Sequence, residues 1–146
     1  MTTMIMALPD IPALLGTRYR SRDEIARERE MALHAKTRMV ALVGPLNGER
    51  HAVHTMNHPM NPDEMLPVPD VVLLVSEDDR SAMVFRYTAY GEFGGDTYHP
   101  SVEDAKDETE AEYADALLEW EDVADDVGDA HAFAVRYAFE RLNNRE

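Results

Sequence analysis

From Val71 the chain runs Val-Val-Leu-Leu-Val before Ser76, with no polar residue among them. A continuous apolar run, closed by the turn residues Glu77 to Arg80, predicts a strand in the middle of a sheet. Ala82 to Thr88 follows as its hairpin partner, with Met83, Phe85 and Tyr87 alternating against Val84 and Arg86. Tyr90-Gly91-Glu92 reads as a second tight turn and Phe93 to Tyr98 as the next strand. Within it Gly94-Gly95 marks a bulge or a close approach of backbone.

The helical pattern is equally legible. Ser21 followed by Glu24 has the spacing of a capping box, with Asp23 and Glu24 at the positive end of the helix they begin. That helix is expected from about Arg22 to Ala35, with Ile25, Ala32 and Leu33 turned inward. Pro100 stops the preceding strand and Ser101 caps a second helix, with Asp104 at the capping-box position. Its apolar stripe is Val102, Ala105, Tyr113, Ala116 and Leu117, which leaves Glu103, Asp107, Glu108, Glu110 and Glu112 facing water. Trp120 continues the stripe and is expected to be largely buried against it. The segment Glu119 to Val123 reads as a short strand or extended link. A last helix, about Asp129 to Leu142, should bury Phe133, Tyr137, Ala138 and Leu142.

Between the first helix and the central strand, Met39 to Val43 predicts a strand, Asn47-Gly48 a hairpin turn, and Arg50 to His54 the returning strand. Residues 55–69 hold four prolines without an apolar period and are expected to form a loop less ordered than its flanks. Strands arriving as consecutive hairpins point to an antiparallel sheet with about three helices on one face, an α+β fold. The whole of residues 1–146 is expected to form one domain, with 1–20 as an apolar N-terminal arm that packs Ile5, Leu8, Ile11 and Leu14.

Composition changes this picture mainly through charge. The net charge is −15 over 146 residues. Residues 1–90 carry 12 acids and 10 bases, whereas residues 91–146 carry 17 acids and 4 bases. Residues 18–38 alone hold seven Arg or Lys against four acids. An acidic C-terminal half disfavours nucleic acid and anionic membrane as partners for that half and favours a basic protein. The absence of cysteine excludes disulfides and thiolate chemistry and fits a cytoplasmic protein. Pro9, Asp10 and Pro12 interrupt the N-terminal apolar run well short of the ~20 residues of a membrane helix.

Candidate chemistry is sparse. His51, His54 and His58 have a spacing that would align on a helix, but Asn47-Gly48 places the first two on a strand, on opposite faces. A zinc site would then need His54 and His58 to meet around the loop, with Asp63 or Glu64. Asp96 and His99, three apart on a strand, also point to opposite faces and should not form a dyad. Carboxylates that do acid-base work need burial or a like-charge partner, whereas those from Glu103 to Glu112 sit on the wet side of their helix. No phosphate-binding loop, nucleophile elbow, zinc-protease helix or calcium loop is present. No cofactor is implied beyond that possible zinc.

Two stretches carry a resemblance. "ALVGPLNGERHAV", with "LPVPD" and "FRYTAYG" downstream, resembles short proteins of unknown function common in bacteriophages and actinobacteria. "YGEFGGDTYHPSVEDAKDETEAEYADALLEWEDV" is similar to a small bacterial domain of unknown function with the pattern G-x-F-x-G-D-T-x-H-x-S-x-E-D-A. Together they span residues 41–123. The resemblance implies a fold and no catalytic residues.

The expected function is therefore that of a small acidic accessory or binding protein of phage, inhibitor or immunity type, with an enzyme as the less favoured expectation. Its docking face is Glu103, Asp107, Glu108, Glu110 and Glu112. One alternative is mimicry of nucleic acid by the carboxylates running from Glu103 to Asp129. The other is a metal-binding protein or hydrolase built on His51, His54, His58 and His99.

Overall fold

The computed structural model describes residues 21–44 and 66–144. Over them the chain runs α1 (Arg22–Leu33), β1 (Thr37–Leu42), β2 (Val71–Ser76), β3 (Ala82–Tyr87), β4 (Phe93–His99), α2 (Val102–Tyr113), β5 (Glu121–Asp122) and α3 (Ala130–Asn144). The strands form one antiparallel sheet in the order β4-β3-β2-β1-β5. The fold is α+β, as the hairpin pattern predicts.

The helices are not confined to one face. α1 and α3 cover Val40, Leu42, Val71, Leu73, Val75 and Phe85, while α2 covers Ala41, Val72, Leu74, Ala82 and Val84. The reason lies in β2, whose six residues are all buried. An unbroken apolar strand exposes hydrocarbon on both sides of the pleat, so both sides need a cover.

β1 pairs with a strand distant in sequence. Its full length pairs with β2, from Thr37 opposite Ser76 to Leu42 opposite Val71. Its other edge is taken by β5 at Met39 and Val40, by a bridge from Val43 to Leu117, and by Gly44 N–H donating to the Ala116 carbonyl at 2.7 Å. Pairing with the most apolar strand buries much hydrocarbon per backbone bond formed. The Asn47-Gly48 turn and residues 50–54 lie outside the described residues, as do the N-terminal arm and most of the proline-containing loop.

Local signals set the helix starts as expected. Ser21 and Glu24 form the reciprocal capping box, with both bonds at 3.1 Å. The first helix ends at Leu33 rather than Ala35, because the chain turns into β1 and Arg38 reaches a carbonyl of its last turn. Arg38 Nη1 donates to the Ala32 carbonyl and Nη2 to that of Ala124, tying α1 to the segment before α3. Ser101 caps α2 by accepting from Asp104 N–H at 2.9 Å. α2 stops at Tyr113, four residues before the end of the expected stripe, where Ala114 takes a positive φ of 50° and a 3-10 turn carries Ala116 inward.

α3 buries its alanines rather than its large side chains. Ala130, Ala134 and Ala138, four apart, lie flat on the sheet, and Phe133, Tyr137 and Leu142 are half-buried at its flanks. Small residues on the contact stripe let the helix approach closely, which displaces the aromatics sideways. On the same face His131 is buried, with Nδ1 at 2.7 Å from the Tyr87 hydroxyl and its ring edge-on to Phe85.

Candidate functional site

The face of the sheet beneath α2 carries a polar layer that begins at Arg86. Arg86 is on β3, and alternation points it to the α2 side with Val84. The strand opposite makes room for it. β4 shifts register between the partners of Phe85 and Tyr87, and Gly95 has a φ of 107° in that bulge. A Cβ on the neighbouring Gly94 would lie 3.4 Å from the Arg86 Cβ and 3.2 Å from the Pro67 carbonyl. The two glycines thus serve the bulge and a close approach of the β4 backbone to the Cβ of Arg86.

Arg86 is 1% exposed. Its Nη2 donates to Glu112 Oε1 at 2.7 Å and to Thr97 Oγ1 at 3.2 Å, its Nε to the Tyr113 hydroxyl at 3.0 Å, and its Nη1 to its neighbour's carbonyl on Val84 at 3.1 Å. Burial alone would lower the Arg86 pKa; the Tyr113 oxygen and the Glu112 carboxylate more than reverse this, and it stands above its ordinary value. Burial likewise pushes the Tyr113 hydroxyl well above the ordinary tyrosine range, with Arg86 offsetting only part of it.

The layer continues to the surface through β4. Thr97 Oγ1 lies 2.7 Å from His99 Nε2, and His99 Nδ1 lies 2.8 Å from Glu108 Oε1. His99 is buried, while the Glu108 side chain is 63% exposed. The directions of these bonds follow from the partners. A carboxylate only accepts, so His99 Nδ1 carries the hydrogen, and in the neutral ring Nε2 accepts from the Thr97 hydroxyl. Thr97 Oγ1 in turn accepts from Arg86. A buried cation, a hydroxyl, an imidazole and a solvent-facing carboxylate are joined in one directed chain.

The five carboxylates placed on the wet face of this helix therefore divide. Glu103 and Asp107 are exposed. Glu108 is exposed and holds His99, and Glu110 is exposed and accepts from Trp120 Nε1 at 3.2 Å. Glu112 is corrected: its side chain is 14% exposed and turned under the helix onto Arg86. A buried guanidinium draws it in, because an unpaired charge there costs several kcal/mol, roughly, in desolvation. Trp120 is half-buried rather than largely buried, lying at the margin of the α2 core with its indole N–H directed outward to Glu110.

Asp96 and His99 are both buried and, as their spacing requires, on opposite faces. What the spacing hides is Thr97, two residues from His99 and so on the same face. Arg86, Glu112 and Tyr113 join it only through sheet register and the placing of α2. His51, His54, His58, Asp63 and Glu64 lie outside the described residues. Among the described residues no group of three or more His, Asp or Glu side chains is arranged to hold a metal ion, and no helix is long and apolar enough to cross a membrane.

The Tyr113 environment has a consequence for alkaline stability. A group whose folded pKa is raised contributes stability that is complete below its unfolded value and is lost as pH climbs toward the folded one. Wild-type stability is expected to fall steadily above about pH 10, the ordinary tyrosine value. Tyr113→Phe should show a shallower fall over the same range, read from denaturation midpoints between pH 9 and 12. An equal slope in both proteins would contradict this.

Comparison with protein-family models, with curated proteins and with solved structures found no match for this chain.

Proposed function

We propose that this is a binding protein that engages a basic partner protein, in the manner of an accessory, inhibitor or immunity protein, through the acidic surface running from α2 to the start of α3. The observation that supports this reading is the distribution of exposed charge. Between residues 103 and 126 ten Asp or Glu residues are exposed, and Lys106 is the one base in that stretch. Leu118, 44% exposed, sits within it and offers an apolar contact.

Such a surface acts chiefly on the rate of encounter. The polar layer below supports this role by holding α2 at a fixed position on the sheet, so that the carboxylates present a pre-set pattern. The basic side of the molecule is partly self-compensated, as Arg29 of α1 pairs with Asp129 at 3.5 Å. That pair is exposed and contributes little to stability.

The test uses the variant Glu103→Gln, Asp107→Asn, Glu110→Gln, which spares the buried Glu112 and the His99 partner Glu108. A basic protein captured on wild type from a low-salt cell extract should associate at least about tenfold more slowly with this variant. The wild-type rate should also fall steeply with salt, since the screening length shrinks from about 10 Å at 0.1 M to about 3 Å at 1 M. Unfolding free energy should change by no more than about 0.5 kcal/mol, as expected for exposed positions. An association rate at low salt equal to that of wild type would remove this surface from the interface.

A further inference from the structure

The chain of bonds through Thr97 has a chemical use that docking does not require. We propose that Thr97, His99 and Glu108 form a nucleophile, general base and orienting carboxylate that transfer the acyl group of small activated esters to water. The reading is independent of the acidic docking surface.

Three features carry it. The hydroxyl oxygen meets Nε2 at 2.7 Å and the carboxylate meets Nδ1 at 2.8 Å, so the two ring nitrogens are used in the sense that a base-activated hydroxyl needs. Glu108 fixes the tautomer, because it takes the Nδ1 hydrogen and leaves the Nε2 lone pair on the hydroxyl. Arg86 Nη2 stands 3.2 Å from the same oxygen, placing a buried cation against the hydroxyl that gains negative charge as its proton leaves. Thr97 is only half-buried and lies on β4, the outermost strand of the sheet on that side.

The step balances without an oxidant or a cofactor. Thr97 Oγ1 bonds to the acyl carbon as its proton passes to His99 Nε2. The carbon-oxygen bond to the leaving group breaks, and that proton goes to the departing oxygen. Water then attacks the acyl-threonine, giving its proton to His99, and the carboxylic acid leaves with the threonine restored. Glu108 touches no substrate and is a positioning residue.

The probe is p-nitrophenyl acetate, followed by release of the phenol and by mass spectrometry of acid-quenched protein. Wild type should release phenol above the buffer rate and carry an acetyl group on Thr97. Thr97→Ser should keep the activity and the adduct. Thr97→Val should lose both, and His99→Gln should lose about 100-fold or more in rate. Glu108→Gln changes an exposed side chain, so the protein stays folded; its rate should fall about tenfold with the adduct still on residue 97. Wild-type release no faster than that of Thr97→Val, an unchanged rate in Glu108→Gln, or acetyl groups found only on lysine, tyrosine or histidine would each overturn the proposal.

Discussion

Arg86→Ala is expected to lower the free energy of unfolding by about 3–5 kcal/mol, the range for removing one partner from a buried ion pair. Four hydrogen bonds vanish with the guanidinium, and three of their acceptors lie on side chains of β4 and α2. Glu112 is left beneath the helix with one acidic oxygen that had been held at 2.7 Å, and the Tyr113 hydroxyl loses its cation. For a domain of this size each kcal/mol moves the melting temperature by about 2–4 °C, so a fall of roughly 10 °C is anticipated. Chemical denaturation with Arg86→Ala, Glu112→Gln and the double variant separates the causes. If the stranded carboxylate dominates, neutralising Glu112 in the Arg86→Ala background should recover a large part of the loss. A cost below about 1 kcal/mol for Arg86→Ala would mean that the ion pair contributes no more than an exposed one.

That a cation should sit under the acidic helix is the part of the molecule least visible beforehand. The alternation of β3 and the stripe of α2 each read correctly on their own: Arg86 falls on the face of Val84, and Tyr113 falls on the face of Ala105. Neither pattern says that α2 packs over β3 and β4, because that follows from sheet order, and sheet order is set by contacts far apart in sequence. Glu112 reads as solvent-facing from its helical position, and only the charge across from it draws the side chain inward. The pair Thr97 and His99 was open to inspection, since residues two apart on a strand share a face. The local features fared better. The capping box at Ser21, the cap at Ser101, the turn at Gly91 and the bulge at Gly94-Gly95 all depend on residues within a few positions of one another, and all stand where the sequence places them. Pairing of β1 with β2 is likewise set by contacts far apart in sequence.

Leu73→Ala and Leu74→Ala should each cost about 2–5 kcal/mol, and the comparison tests whether both faces of the sheet are core. The two leucines are neighbours on β2, both with no exposed surface, and their side chains leave the strand in opposite directions. Leu73 enters the layer under α1 and α3, and Leu74 enters the layer under α2. Each substitution removes three carbons and leaves a cavity that the surroundings close only in part, which is why the cost exceeds simple transfer to water. With helices on one face alone, one of the pair would lie at the surface and its loss would cost under about 1 kcal/mol. Similar large losses from both are expected, read as shifts of denaturant midpoint at unchanged slope. The Leu74 layer has one further property. Its helix is held partly by the Arg86 bonds, so Leu74→Ala and Arg86→Ala weaken the same contact between α2 and the sheet. Their combined cost should depart from the sum of the two, whereas Leu73→Ala, on the other side, should add to Arg86→Ala to within about 0.5 kcal/mol. A departure on the Leu73 side equal to that on the Leu74 side would show that the two faces do not behave as separate layers.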